Sequence, residues 1–153
     1  MQSFLSYLQE KPMHWRAGGL PFTREGDQVW VCLFVSNDPM YGGSAPQLPK
    51  GIPNAHERPQ EAAEREVAEE TGLPIRLLSR QAFPLTIRTT TSELGETYDI
   101  HAYGFPLPRR IAPKPGEEGT GVWVTADKAL TTMRPDHRVF VRDLLQHLRH
   151  TDA

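Results

Sequence analysis

Glutamate is concentrated in one short stretch of this chain. Residues 57–70 hold six glutamates against only two arginines. Glu66, Glu69 and Glu70 are related by steps of three and four residues, so on a helix their carboxylates share one face. Like charges at these spacings destabilise a bare helix, whereas carboxylate oxygens are preferred ligands of Mg²⁺, Mn²⁺ and Ca²⁺. On charge alone a solvated acidic face is the more common explanation, and a divalent-cation site is the alternative.

The residues that flank this stretch predict where its helix begins and ends. Pro59 suits the first helical turn, because its missing N–H costs little there. Gly72 suits a C-terminal cap, and Pro74 forbids continuation of the helix. The pattern therefore predicts a helix from about Pro59 to Thr71.

Other residues of the predicted helix suggest how it is held. Ala62, Ala63 and Val67 are small apolar residues that could pack on a sheet. Arg65 is the cation that offsets part of the like charge, and we expect it to pair with Glu61 one turn before or with Glu69 one turn after.

The rest of the chain alternates between strand-like and helix-like segments. Strands are predicted in residues 18–37 (two strands with a turn at 24–27), in 75–90 and 96–107 (joined by a turn at 92–95), and in 121–126. Helices are predicted at 127–130 and from about Pro135 to Arg149, where apolar residues recur at helical spacing. Strands interleaved with helices indicate an α/β fold, with a mixed β-sheet sandwiched between helices.

Length and composition narrow the class of protein. A chain of 153 residues fits one domain, residues 1–153, with a single core. Its net charge of −2 lacks the basic excess of a general nucleic-acid binder. One cysteine, Cys32, excludes an internal disulfide and lies in an apolar run, so we expect it to be buried. We see no signal peptide and no bilayer-spanning stretch, and therefore expect a reduced, cytoplasmic setting without a membrane partner.

Residues 51–73 carry a pattern that is far more specific than acidity. Gly51 is followed after five residues by Glu57, and after seven more by residues 65–73, Arg-Glu-Val-Ala-Glu-Glu-Thr-Gly-Leu. This pattern resembles the signature of the Nudix hydrolase family, and every fixed position matches. The resemblance implies an α/β/α sandwich and a pyrophosphohydrolase that cleaves a nucleoside diphosphate linked to another group. It also implies Mg²⁺ or Mn²⁺ as the cofactor and a small-molecule nucleotide as the partner.

The resemblance implies roles for the residues of the signature. Three of them resemble the metal-binding carboxylates: Glu66, Glu69 and Glu70. The backbone carbonyl of Gly51 resembles a further metal ligand. Arg65 resembles the residue that orients the glutamates by ion pairing, with Glu57 as its partner or as an outer acceptor. Glu66 is the expected group to orient or deprotonate the attacking water.

Many family members also use a glutamate on a later loop, shortly before a strand that carries a tryptophan. Residues 116–123, Gly-Glu-Glu-Gly-Thr-Gly-Val-Trp, fit that description. We expect Glu118 to be this metal-binding and catalytic carboxylate, with Glu117 as the alternative. The other interpretation is that both are ordinary loop carboxylates.

Residues 48–51, Leu-Pro-Lys-Gly, are similar to the same segment of dinucleoside polyphosphate hydrolases in the family. Lys50 would then contact phosphate as a point charge. Three further residues are candidates for substrate binding: Tyr41, Arg88 and Tyr98. Tyr41 lies in an insert, residues 37–47, that is either a lid over the substrate or a connector. Ordinary strand-surface roles are the alternative for Arg88 and Tyr98.

His56 departs from the family pattern, since many members have glycine just before the first glutamate of the signature. We therefore expect the loop to turn differently, at Pro53 and Asn54. His56 itself either contacts the substrate or lies on the surface.

Several functions remain open within the resemblance. The substrate could be a dinucleoside polyphosphate, ADP-ribose, a nucleoside triphosphate or the 5′ end of RNA. A homodimer is expected only because dimers are common on this fold. A non-catalytic nucleotide sensor is the second hypothesis, but such domains commonly lose signature glutamates and this chain keeps them all. An isomerase of diphosphate esters is the third, and it would need further groups such as a reactive cysteine in a cleft.

Overall fold

A mixed sheet of seven strands forms the centre of the protein. The computed structural model describes residues 14–38, 45–92 and 94–151. The strands are β1 (Trp15–Glu25), β2 (Gln28–Ser36), β3 (Lys50–Gly51), β4 (Phe83–Pro84), β5 (Arg88–Thr91), β6 (Thr97–Pro106) and β7 (Gly119–Thr125). The main order is β4-β6-β1-β2-β7, with β3 paired to β1 and β5 paired to β6. Only the β1–β6 pair is parallel among the described strands, so the predicted mixed sheet is confirmed.

Helices cover both faces of this sheet. They are α1 (Pro59–Thr71), α2 (Ile75–Leu78), α3 (Ala126–Thr132), a 3₁₀ turn (Pro135–His137) and α4 (Arg138–Thr151). On one face Ala17 and Phe105 pack with α1, and on the other Leu20 and Phe22 pack with α3 and α4. The sandwich predicted from the sequence is therefore confirmed. None of the helices that the structure describes is long and apolar enough to cross a membrane.

Residues 75–90, predicted as one strand, fold differently. They form the short helix α2 and then two short strands, β4 and β5. Periodicity alone does not separate a short apolar run in a helix from one in a strand, and the run at Ile75–Leu78 turns into a helix directly after Pro74. Pro84 lacks an N–H for a ladder, so β4 pairs with β6 over only two residues. The prediction of a single long strand was wrong.

His137 is a fully buried polar residue in the core beneath the sheet. Its Nδ1 accepts a hydrogen bond of 3.1 Å from the backbone N–H of Leu48, so the ring is neutral and carries its proton on Nε2. Burial lowers the pKa of His137 to about 3; the charges of Lys50 and Arg134 lower it further, and Asp136 acts in the opposite direction. The histidine therefore anchors the segment that leads into β3.

This burial makes stability depend on pH. The unfolded chain takes up a proton near the ordinary histidine pKa of 6.5, and the folded chain only near 3. Because the unfolded state binds more protons between these values, we expect the free energy of unfolding to fall as the pH is lowered from about 6.5. The slope contributed by His137 should reach about 1.4 kcal/mol per pH unit. Urea unfolding across this range should show a flatter profile for His137→Gln, and identical slopes would contradict the assignment.

Candidate active site

The helix that carries the glutamates is α1, and its ends form as the sequence predicts. Pro59 lies in its first turn, and Gly72 closes it with φ 73° and an N–H donated to the carbonyl of Ala68 at 2.8 Å. Left-handed backbone at this position favours glycine. The predicted apolar contacts are confirmed, because three small residues of α1 are fully buried against the sheet: Ala62, Ala63 and Val67.

Arg65 lies at the centre of a network of carboxylates. Its Nε and Nη2 donate to the two oxygens of Glu57 at 2.8 and 3.0 Å, in a bidentate pair. Its Nη1 donates to Glu66 at 2.7 Å and lies 3.3 Å from Glu69. Nη2 also donates to the carbonyl of Ile52 at 3.2 Å. The hydrogen bonds that Arg65 donates to Glu57 are the main reason that the pKa of Arg65 is raised, so one guanidinium fixes the loop before α1 to the helix.

Helical spacing offered two alternative partners for Arg65, Glu61 or Glu69, and the structure has Glu69. Glu69 is in contact, one turn after Arg65. Glu61 instead lies 3.8 Å from Arg58, where both side chains are exposed. Arg65 turns away from Glu61 because Glu57, which the signature places before the helix, offers a partly buried bidentate partner.

Glu66 and Gly51 approach each other closely. The carboxylate of Glu66 occupies the space that a Cβ on Gly51 would need. Only a glycine therefore allows β3 to pass so near this side chain. Burial raises the pKa of Glu66, and its ion pair with Arg65 offsets part of that effect. The structure thus brings together two residues that the signature marks as parts of one site.

Glu70 reaches the same strand from the next turn of α1. It accepts a hydrogen bond of 2.6 Å from the backbone N–H of Lys50. Burial raises the pKa of Glu70 to about 8, the bond from Lys50 and its charge lower it, and the negative charges of Glu66 and Glu118 raise it further. The carboxylates of Glu66 and Glu118 therefore lie close enough to Glu70 to repel it.

The loop before β7 holds both of its candidate glutamates beside the end of β2. The Asn37 N–H donates to the carbonyl of Glu118 at 2.8 Å, and the Asn37 side chain donates to the carbonyl of Glu117 at 3.1 Å. Of the two side chains, that of Glu118 is the one whose charge raises the pKa of Glu70. This geometry favours Glu118 as the loop carboxylate, and its role stays a prediction.

The donor set fits a hard divalent cation in its chemistry. It consists of carboxylate oxygens and backbone carbonyls, with Arg65 as the cation that contacts it directly. Within residues 14–38, 45–92 and 94–151, no three acidic or imidazole groups are gathered around one point as a ready-made metal site. Glu66 forms an ion pair with Arg65, Glu70 accepts a hydrogen bond from the backbone of Lys50, and Glu69 is 60% exposed, so the three carboxylates do not converge.

Two of the predicted substrate residues, Arg88 and Tyr98, lie on the other side of the sheet from α1. Tyr98 is buried in the core that α3 and α4 cover, with the Arg16 guanidinium 4.7 Å from its ring centroid. Arg88 donates to Asp143 of α4 at 3.0 and 2.6 Å. Tyr41 lies outside the described residues, as does most of the insert around it. The substrate-binding roles of all three residues stay predictions.

Sequence reasoning missed two cations near Lys50. Arg16 of β1 and Arg134, just before the 3₁₀ turn, both lie near enough to lower the pKa of Lys50. They are separated from Lys50 by 34 and 84 positions in the sequence. No local pattern marks either residue, because strand pairing and the return of the chain after α3 bring them together.

Cys32 is fully buried, as predicted. Burial raises the pKa of its thiol to about 12. A thiol in this environment is not a nucleophile at neutral pH. Cys32 is therefore not the reactive cysteine that the isomerase hypothesis would need.

His56 corrects the prediction about the loop before α1. Its φ is 68°, in the left-handed region that favours glycine. The loop therefore does not turn elsewhere to accommodate the histidine, and His56 adopts the conformation that a glycine would take. The next residue, Glu57, donates its N–H to the carbonyl of Asn54 at 3.1 Å and accepts the N–H of Asn54 at 2.7 Å. These bonds and the pairing with Arg65 hold the strained turn in place.

Relief of this strain should stabilise the protein. We expect His56→Gly to raise the free energy of unfolding by about 0.5–1 kcal/mol. Left-handed backbone destabilises the folded state by about 1–2 kcal/mol at a non-glycine residue, and glycine removes this strain. Glycine also makes the unfolded chain more flexible, which cancels part of the stabilisation. Urea unfolding of the purified variant measures the change. His56→Ala, which keeps a Cβ, should bring no such gain. A glycine variant less stable than the native chain would mean that the imidazole makes a stabilising contact.

Comparison with known proteins supports the same family. The family model described as the NUDIX domain matches residues 12–144. A search of curated proteins finds no relative by sequence. Among solved structures, a C. elegans Ap4A hydrolase binary complex is similar with a TM-score of 0.73 and 15% identity, over 89% of this chain and 98% of that chain.

Two further structures have the same fold. The NUDIX domain of Shewanella oneidensis NrtR, complexed with ADP ribose, gives a TM-score of 0.72 at 17% identity, over 96% of this chain and 99% of that chain. A Nudix hydrolase from M. Smegmatis, RenU, gives 0.66 at 22% identity, over 90% and 87%. The resemblance inferred from residues 51–73 is thus confirmed, and so is the predicted enzyme class, a Nudix pyrophosphohydrolase, at the level of the family. The match covers most of the sequence, and the chain belongs to the Nudix family.

Proposed function

We propose that this chain hydrolyses a pyrophosphate bond in a nucleoside diphosphate linked to another group, and that it needs Mg²⁺ or Mn²⁺ to do so. The observation that carries the proposal is the contact between Glu66 and Gly51, with Arg65 bridging Glu66 to Glu57. An ordinary acidic surface helix has no reason to press a half-buried glutamate against the backbone of a neighbouring strand. A site that binds a cation through carboxylate and carbonyl oxygens would require such a contact.

The buried charges support a metal requirement. Glu66 and Glu118 repel Glu70, and burial keeps Glu66 and Glu70 from full solvation. Arg65 neutralises one negative charge and is shared with Glu57, and the charge of Lys50 offsets only part of the effect of burial on Glu70. A divalent ion bound by these oxygens would neutralise phosphate charge and make an attacking water more acidic. Glu66, Glu69, Glu70, Glu118 and the carbonyl of Gly51 are the proposed ligands.

The residues of the chain have distinct tasks in this reaction. Arg65 engages Oε1 of Glu66, so the proton of the attacking water would pass to Oε2. The water oxygen forms a bond to one phosphorus as the bridging P–O bond to the other phosphate breaks. We propose Lys50 as the basic residue that would hold the charge of the phosphate that leaves.

The fold is shared with proteins that handle different nucleotides. The C. elegans relative is an Ap4A hydrolase, and the NrtR domain was solved with ADP ribose. We propose a dinucleoside polyphosphate as the first candidate substrate, because residues 48–51 are similar to that group of hydrolases. A nucleotide sensor without activity is the second candidate, and the NrtR domain gives a precedent for nucleotide binding on this fold.

A panel of phosphorylated compounds tests the proposal. Dinucleoside polyphosphates, ADP-ribose, nucleoside triphosphates and triphosphorylated RNA would each be incubated with Mg²⁺ and with Mn²⁺, and the products identified. We expect cleavage of a pyrophosphate bond in at least one compound, abolished by EDTA. Tight nucleotide binding without any phosphate release would support the sensor and overturn the proposed hydrolysis.

A further inference from the structure

Asn37, the first residue after β2, contacts the loop that carries Glu118. Its backbone N–H donates to the carbonyl of Glu118 at 2.8 Å. Its side-chain amide donates to the carbonyl of Glu117 at 3.1 Å. The first bond lies beside Ser36 and Gly119, the last pair between β2 and β7, and so continues their ladder. The second bond is additional, because the pairing of two strands uses no side chains.

Residues 116–119 form a closed turn on the other side of this contact. The Gly116 N–H donates to the carbonyl of Gly119 at 2.8 Å. A Cβ on Gly116 would lie 3.9 Å from the carbonyl oxygen of Glu69, so the turn lies beside the last turn of α1. Asn37 therefore fixes one side of a turn whose other side faces the helix of the proposed metal ligands.

Glu118 brings a carboxylate from this turn toward those of α1. Burial is the main reason that the pKa of Glu70 is raised to about 8, and the charge of Glu118 raises it further. Within the described part of the chain, however, the Glu118 side chain accepts no hydrogen bond and forms no ion pair. Glu66 and Glu70 differ in this respect, since Arg65 and the backbone of Lys50 hold them. The position of the Glu118 carboxylate therefore depends on the backbone of its turn.

We propose that Asn37 is a positioning residue of the candidate active site, and that it holds Glu118 in place for a divalent cation. The inference rests on the metal requirement in the proposed function. A turn that is not held would have to be ordered when the cation binds, and this ordering would weaken binding. The side-chain bond from Asn37 orders the turn beforehand and so lowers that cost. Asn37 lies outside the signature, and only the pairing of β2 with β7 brings it to Glu118.

Binding of Mn²⁺ in the absence of nucleotide tests this role apart from hydrolysis. Electron paramagnetic resonance of free Mn²⁺ gives the Kd. Asn37→Ala removes the side-chain bond to Glu117 and keeps the backbone bond to Glu118. We expect this variant to raise the Kd by about 3- to 10-fold, the range for loss of one neutral hydrogen bond. Gln146→Ala, which removes an exposed amide from α4, is the matched control and should leave the Kd unchanged.

A double-mutant cycle separates positioning from general support of the fold. If Asn37 acts through Glu118, Asn37→Ala should cause no further loss of Mn²⁺ affinity in a Glu118→Gln background. In a Glu117→Gln background the full loss should remain. An equal loss in the native and Glu118→Gln backgrounds would overturn the inference, because Asn37 would then support the turn without acting through this carboxylate. Native Mn²⁺ affinity of Asn37→Ala would overturn it as well.

The outcomes also separate this inference from the proposed reaction. The expected coupling in a protein that cleaves none of the panel would leave the role of Asn37 standing and remove the hydrolysis. Metal-dependent cleavage together with additive losses in the cycle would do the reverse. A native protein that binds no Mn²⁺ would overturn both the inference and the metal requirement.

Discussion

Replacing Glu66 by glutamine is expected to lower turnover by about 10²–10⁴-fold, the usual contribution of a positioned general base. Glutamine keeps the length of the side chain but accepts no proton at neutral pH. Arg65 would remain fixed by its bidentate pair with Glu57, so the loop before α1 should keep its place. The fold should be intact by circular dichroism, and the loss should appear in the rate constant measured at saturating substrate.

Glu61→Gln is the matched control for this variant. It makes the same chemical change on the same helix, at an exposed residue whose partner is Arg58 rather than Arg65. Its turnover should equal that of the native protein. Near-native turnover of Glu66→Gln would remove Glu66 from the role of base, and an equal loss in both variants would point to a general effect of helix charge.

Gly51→Ala should have the second large effect. The added methyl group would overlap the Glu66 carboxylate, so either β3 or Glu66 must move. A displacement of about 1 Å at a catalytic group costs on the order of 10²-fold in rate. We therefore expect turnover to fall by about 10²-fold in steady-state assays, while the buried face of α1 keeps the sandwich folded.

A Gly→Ala substitution at a second position serves as the control, because it shows what the replacement does where no steric clash arises. Gly26, in the β1–β2 turn, has φ 63°, and a Cβ added there would meet no atom within 4 Å. Gly26→Ala should lower the free energy of unfolding by about 1 kcal/mol through backbone strain and leave turnover unchanged. Native turnover in Gly51→Ala would show that the approach of β3 to Glu66 is not needed for activity.

The helix α1 could be predicted closely because its signals are local. Pro59, Gly72 and Pro74 act through their own backbone preferences, and the bounds predicted from them match the structure. The carboxylate site followed from the same segment, because spacing along one helix fixes which side chains share a face. For Arg65, helical spacing offered Glu69 as one of two partners, whereas Glu57 lies outside that spacing and was expected only from the resemblance.

The features that could not be predicted depend on contacts between distant segments. His56 looked incompatible with a glycine position, yet surrounding bonds hold it at positive φ. The run from Ile75 carries apolar residues that suit a strand or a helix equally, and tertiary packing decided for a helix. Arg134 and Asp136 form an ordinary polar turn in the sequence. Their proximity to Lys50 arises only when the chain returns after α3.

The brevity of β3 has a consequence for how this part of the chain can change. Its two residues present opposite sides, Lys50 toward Gly18 and Gly51 toward Glu66. One extra residue between them would invert the alternation of every side chain that follows. Gly51 would then face Gly18 instead of Glu66, and the close approach of β3 to α1 would be lost although every residue was still present, so the length of this junction should be as constrained as the identity of Gly51.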